Sequence, residues 1–190
     1  MIRIVKKPES ISWDEICDVV WRSHAKNREK GVDIRNAHLS GEEMRKSLGD
    51  DGDCFVAIET SNGKVIACCS SSYNNLATWW ATGKFAYATL EAVLPEYSGK
   101  HVFSRLSTVR LETVKEKKCN GIYMYVAERN KRRRIIAKKE GFTPVEIRRT
   151  SYNPHNYLVY AKWFGVKPHS RFYFVLRFFI NWISVRIKNC

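Results

Sequence analysis

No run in this sequence approaches the roughly 18 consecutive apolar residues of a membrane-spanning helix, so a bilayer span is excluded from the expected architecture. The opening Met1–Pro8 carries too short an apolar stretch for a secretory signal, and the simplest expectation is a cytoplasmic protein. Cys-x-x-Cys pairs are missing and no histidine stands at zinc-finger spacing, so no metal site is expected. Cys17, Cys54, Cys68, Cys69, Cys119 and Cys190 read instead as reduced apolar fillers, with adjacent Cys68 and Cys69 on opposite faces of a strand. Low-complexity polar tracts are absent, which excludes long disorder. Acids are scarce: 19 Asp and Glu stand against 33 Lys and Arg, a formal net charge of +14. Such an excess calls for anionic partners, whether a phosphate-bearing cofactor, an acidic polymer, nucleic acid or a charged lipid surface. Without a DNA- or RNA-reading module, nucleic acid is the weakest of these.

What is present suits one core-bearing domain over residues 1–165, followed by a basic, aromatic segment over 166–190. Ile2 to Val5 reads as a strand. Ser12 and Glu15 form a capping pattern for a helix whose inward stripe is Trp13, Ile16, Cys17, Val20 and Trp21. Ser40 and Glu43 repeat the pattern before Met44 and Leu48, with Gly49 as the stop. Cys54–Glu59 and Lys64–Ser71 form a hairpin across Asn62-Gly63. A loop holding Trp79, Trp80 and Gly83 leads to a strand over Phe85–Leu94. A helix over Val102–Lys118, a strand over Ile122–Val126, a basic helix over Arg129–Lys139 and strands over Val145–Tyr152 and Leu158–Lys162 complete the core. Strand, helix, strand crossovers imply parallel neighbours. The expected fold class is therefore α/β (α+β), a mixed central sheet of about seven strands flanked by helices, with an extra C-terminal amphipathic helix.

Two features carry chemistry. On the Phe85–Leu94 strand, alternation would set Phe85, Tyr87, Thr89, Glu91 and Val93 on one mixed face suited to line a cleft. After it, Pro95 to Phe103 places a turn and Gly99 between strand and helix. Unpaired N–H groups at a helix start attract anions, and Lys100 adds a cation.

This stretch resembles the signature of the GNAT superfamily of N-acetyltransferases, in which a strand ending in valine leads into a Gln/Arg-x-x-Gly-x-Gly/Ala turn. Gly99 matches the first glycine. Val126, Asn130 and Gly141-Phe142 resemble the second signature, an asparagine after a strand and before a helix ending in Gly-Phe. The resemblance covers residues 1–162 and implies a GNAT fold with acetyl-CoA as acyl donor. By it, main-chain groups of Gly99, Lys100, His101, Val102 and Phe103 would hold the pyrophosphate. Val93 would pair with the pantetheine arm, and Asn130 would bond to that arm or brace its loop. The sequence departs from the pattern at Glu96, where Gln or Arg is usual, and at His101, where Gly or Ala is usual. Both would crowd the phosphate turn, although a protonated His101 would instead add a bond to phosphate.

N-acyl transfer needs a deprotonated amine, a polarised thioester carbonyl and a leaving thiolate. The family often places a carboxylate on this strand, so Glu91, with Tyr87 beside it, is the expected base, against the alternative of a solvated or ion-paired Glu91. The family's tyrosine acid falls at Ala137 here. A thiol's reference pKa of roughly 8.5 lets a thiolate leave near neutral pH without that donor; Tyr123 and Tyr125 are the substitutes in sequence.

The expected activity is transfer of an acetyl or acyl group to the amine of a small-molecule acceptor, an amino sugar or lipid-linked precursor being one class. A non-catalytic GNAT-fold protein that binds CoA or a partner is the alternative. Residues 166–190 hold Lys167, Arg171, Arg177, Arg186 and Lys188 without an acid. The polar line Arg177, Asn181, Ser184, Lys188 leaves apolar and aromatic residues around the rest of that helix. Through residues 171–188 it would dock on the domain, meet a second copy, or lie on an anionic membrane surface, which would make the protein peripheral at the inner membrane.

Overall fold

All seven expected strands form. The structure, a computed structural model, describes residues 1–32, 35–150, 153–165 and 167–187; Tyr152, Lys188 and Cys190 of the sequence expectations lie outside them. The strands are β1 (Ile2–Lys6), β2 (Asp53–Glu59), β3 (Val65–Thr78), β4 (Ala81–Val93), β5 (Gly121–Ala127), β6 (Thr143–Thr150) and β7 (Asn153–Trp163). The helices are α1 (Trp13–Ser23), α2 (Ala25–Glu29), α3 (Gly41–Leu48), α4 (Val102–Glu116), α5 (Lys131–Lys139) and α6 (Arg171–Ile187). They flank one mixed sheet of order β1-β2-β3-β4-β5-β7-β6. By internal contacts the chain divides into two units, residues 1–74 with 86–118, and residues 75–85 with 119–190.

In the first unit, Ser12 accepts the Glu15 N–H and starts α1, which buries Ile16, Val19 and Val20. Trp21, expected on that stripe, is instead 44% exposed. Its ring lies 3.5 Å from the Arg28 guanidinium, so a cation covers the indole in place of the core. The short α2 was not expected. Before α3 the full capping box forms, with Ser40 accepting from the Glu43 N–H and Glu43 accepting from the Ser40 N–H. The Asn62-Gly63 turn closes the β2–β3 hairpin, Gly63 taking φ +71°, where a side chain would be strained.

Asp53 opens β2 at 1% exposure and is held from three sides. Lys6 and Lys117 pair with it at 2.7 and 2.8 Å, and the Tyr73 hydroxyl donates to it at 2.6 Å. Burial alone would raise its carboxyl, but the bonds from Lys117, Lys6 and Tyr73 outweigh burial and hold it below the ordinary carboxylate range. Since the folded pKa is the lower one, this stabilisation is present at neutral pH and is lost as pH falls from the ordinary carboxylate value through the folded one. Asp53→Asn is expected to cost about 2 kcal/mol at neutral pH, since both lysines can rehydrate. Urea unfolding across the acid limb should show a shallower pH slope for the variant.

The cysteines behave as fillers. Cys68 donates to the Leu90 carbonyl of β4 and Cys69 to the Leu106 carbonyl of α4, so the neighbours face opposite ways as expected. Burial pushes the Cys54 and Cys69 thiols up to about 12 and Cys68 well above the ordinary thiol value. An aromatic disulfide reagent at about pH 8 should therefore leave these three unmodified in the native protein and modify them in denaturant, as read by peptide mass mapping.

In the second unit, the loop expected through Trp79, Trp80 and Gly83 is a tight hairpin turn. Thr78 accepts the Ala81 N–H and bonds back to the Ala81 carbonyl. Trp80 is buried and donates its indole N–H to Glu146, and Trp163 donates to the Trp80 carbonyl. With both indoles satisfied, the two-residue turn is stable inside the fold. β7 pairs antiparallel with β5 on one side and β6 on the other. α6 docks along β6 through buried Phe174, which packs against Trp79 and Trp163 at 5.6 and 5.0 Å between ring centroids. Asn181, expected on the polar line, turns inward and accepts the Ile147 N–H at 2.6 Å. That bond satisfies a donor of the edge strand, which explains a polar residue on the packed face. Among the described residues no helix is long and apolar enough to cross a membrane.

Candidate active site

Along β4 one residue departs from extended backbone. Leu90 takes a left-handed backbone, φ 49°, costly for a non-glycine residue. Thr89 accepts from Asn36 in the turn that packs on α1, at 2.6 Å. Glu91, two residues on, pairs with Arg110 of α4, Oε1 to Nη1, at 2.8 Å. Both charges act on the thiol of Cys69, which itself bonds to α4. Thr89 thus bonds to the turn beside α1 and Glu91 to α4. Tyr87 is half-buried. Arg110 is fully buried and Glu91 is 16% exposed at its side chain, so this is an interior ion pair.

His24, at the C-terminal end of α1, is a participant that the sequence did not indicate. Its ring bonds to the backbone of Glu91, and the Asn27 amide donates to its Nδ1 at 3.0 Å. Burial holds its pKa below the ordinary histidine range, so the ring is neutral at pH 7. Glu91 is thus held through its backbone by His24 and through its side chain by Arg110. A partner 67 positions away leaves no local trace in sequence.

Past Val93, the last residue of β4, Pro95–Tyr97 forms a single helical turn and the chain reaches Gly99 at φ +82°. A Cβ added at Gly99 would meet nothing within 4 Å, so the turn is open on that side. His101 then caps α4 in a left-handed conformation, φ 57°, and its side chain makes no capping bond. The first intrahelical bond runs from the Arg105 N–H to the His101 carbonyl. No side chain at the cap thus competes for the helix's leading N–H groups, which carry the positive end of its dipole. Lys100 is exposed, its Nζ 4.8 Å from the Tyr97 ring; Val102 is buried beneath the turn and Phe103 half-buried. Glu96, expected to crowd this turn, is drawn to Arg22 and Lys64, each at 3.5 Å. The backbone at its own position and these cations keep its carboxyl ionised, below the usual range.

The second unit holds Asn130, Ala137 and the two tyrosines named as substitutes. Asn130 caps α5, its Oδ1 accepting the Arg133 N–H at 3.1 Å, so it braces that helix start and keeps amide donors for other use. Ala137 is fully buried within α5. Tyr123 packs on Trp80, 5.7 Å between centroids, and the Tyr125 hydroxyl accepts from Arg148 at 3.2 Å. Both tyrosines are thus engaged in packing and pairing. Of the basic helix, Arg133 pairs with Glu140 and Arg134 donates to the Glu128 carbonyl, whereas Lys131, Arg132, Lys138 and Lys139 face solvent.

The site is thus framed by a mixed seven-stranded sheet and by a helix start without a side-chain cap that follows β4. Residues 13–142 match the profile of the Acetyltransferase (GNAT) family, and the chain belongs to it. No curated protein matches the sequence. Among solved structures, the chain is similar to the ribosomal-protein-S18-alanine N-acetyltransferase from Escherichia coli, with 15% identity, TM-score 0.64, and 90% of this chain and 98% of that one covered. It is similar to a GNAT-family acetyltransferase from Staphylococcus aureus Mu50, with 15% identity, TM-score 0.66, and 87% and 100% covered. It also resembles a chain of the NatC complex bound to Gag peptide and CoA, with 12% identity, TM-score 0.66, and 86% and 99% covered. These likenesses establish the fold.

Proposed function

We propose that this chain is a CoA-dependent N-acetyltransferase that acylates the amine of a small-molecule acceptor. The observation that carries the reading is the uncapped start of α4 beyond Gly99, with an open turn, a leading row of main-chain donors and exposed Lys100 and His101. Gly99, Lys100, His101, Val102 and Phe103 would hold the pyrophosphate of acetyl-CoA, which supplies an activated acyl thioester. Val93 would align its pantetheine arm and Asn130 would offer its amide. Tyr87 would face the acceptor. We assign Glu91 to positioning: paired with Arg110 and bonded through its backbone to His24, it holds the strand beside the left-handed Leu90. An amino sugar or lipid-linked amine is the acceptor class that the basic, aromatic α6 favours.

Acetyl-CoA at a hundredfold excess over its Kd should stabilise the protein by about 2.7 kcal/mol in thermal unfolding. Gly99→Val puts a β-branched residue at φ +82° and should raise KM for acetyl-CoA on the order of tenfold with kcat little changed. An absent thermal shift at millimolar acetyl-CoA would remove the reading. The buried Ala137 favours a second one, a GNAT-fold protein that binds CoA without transfer. A thermal shift without CoA release across a panel of amines would select it.

A further inference from the structure

The net charge is not shared between the units. Residues 75–85 and 119–190 hold 16 Lys and Arg against 3 Asp and Glu, a net +13 of the chain's +14. The same unit carries α6, and α6 is docked by one side only. Asn181 bonds to β6 and Phe174 packs on Trp79 and Trp163, while Phe172, Val175, Leu176, Phe179, Ile180, Ile183 and Ile187 are between 36% and 76% exposed. At about 100° per residue these seven project within an arc of roughly 140° opposite Phe174 and Asn181, an arc that also holds Arg186, whose guanidinium is drawn to Glu128. Soluble monomers rarely leave a continuous apolar face of this kind uncovered.

We propose that the outward face of α6 seats on an anionic membrane surface. The charge pattern decides the occupant. The unit that carries this face is net +13, so two copies meeting through it would set like charge against like charge. Nucleic acid would satisfy the charge but not the apolar arc. An anionic bilayer satisfies both: its surface attracts the +13 unit, and its headgroup boundary receives phenylalanine and isoleucine side chains. The helix of 17 residues is about 25 Å long and lies in the plane of the surface, its inner side still bound to β6.

The test uses the full chain and sedimentation with two kinds of vesicle, phosphatidylcholine alone and phosphatidylcholine with about equal phosphatidylglycerol. The protein should pellet with the anionic vesicles and stay in solution with the neutral ones. The variant F172Q/F179Q/I183Q alters only exposed side chains, and its thermal unfolding should match the wild type. Its partition onto anionic vesicles should fall on the order of a hundredfold. F172L/F179L, which keeps the apolar arc, should bind as the wild type does. Equal partition of wild type and triple variant would overturn the proposal. So would a dimer in light scattering that the triple substitution dissolves, with no vesicle binding by the wild type, or pelleting with an RNA homopolymer but not with vesicles.

Discussion

Glu91→Gln is expected to destabilise the protein by about 3 kcal/mol, because it strands the Arg110 guanidinium in the interior. Arg110 is fully buried and its Nη1 lies 2.8 Å from Glu91. Removing one partner of such a pair leaves an uncompensated charge, which costs roughly 3–5 kcal/mol, whereas replacing both by apolar residues of similar volume is often neutral. Arg110→Met should destabilise similarly, since Glu91 has little solvent to turn to. The double variant with leucine at 91 and methionine at 110 should recover most of the loss in urea unfolding, a coupling that a double-mutant cycle reads directly. The assignment of Glu91 to positioning rests on this outcome. A Glu91→Gln protein as stable as the wild type, with turnover abolished and KM for acetyl-CoA unchanged, would return Glu91 to the chemistry as the base.

The same strand marks the limit of what the sequence could tell. Capping patterns at Ser12 and Ser40, the Asn62-Gly63 turn and the Gly49 and Gly141 stops are local signals, and each element they bound appeared in place. A positive φ inside a strand is a different kind of event. Leu90 carries no local sign of it, and only its surroundings hold it there. The Trp79-Trp80 turn was read as a loop for a related reason: the bonds from the Trp80 indole to Glu146 and from the Trp163 indole to the Trp80 carbonyl join residues far apart in sequence. Asn181 shows the same limit, since an amide on a helix reads as solvent-facing until a sheet edge needs its oxygen. At the site, the turn at Gly99 was legible from local pattern, whereas the helix expected from Arg129 begins only after Asn130, which caps it. His24 and Arg110 were not, because their roles exist only through partners distant in sequence.

Phe174→Ala should cost about 3–4 kcal/mol, a loss centred on the second unit. The side chain is 1% exposed and lies among Trp79, Trp163 and His169, with centroids 5.6, 5.0 and 5.9 Å away. Truncating a phenylalanine so enclosed forfeits its transfer energy and leaves a cavity, and three rigid rings cannot collapse to fill it. The remaining ties of α6 are a bond from Asn181 to the β6 backbone and an ion pair from Arg186 to Glu128 at 2.6 Å, the latter partly exposed and worth little by itself. Hydrogen exchange should therefore rise along α6 and at Ile147 before it rises in β5. Phe172 is the internal control. It sits two residues earlier on the same helix at 76% exposure, and Phe172→Ala should stay within about 0.5 kcal/mol of the wild type. If the two substitutions proved equally costly, the docked and open faces of α6 would have to be exchanged, and the face offered to a membrane with them.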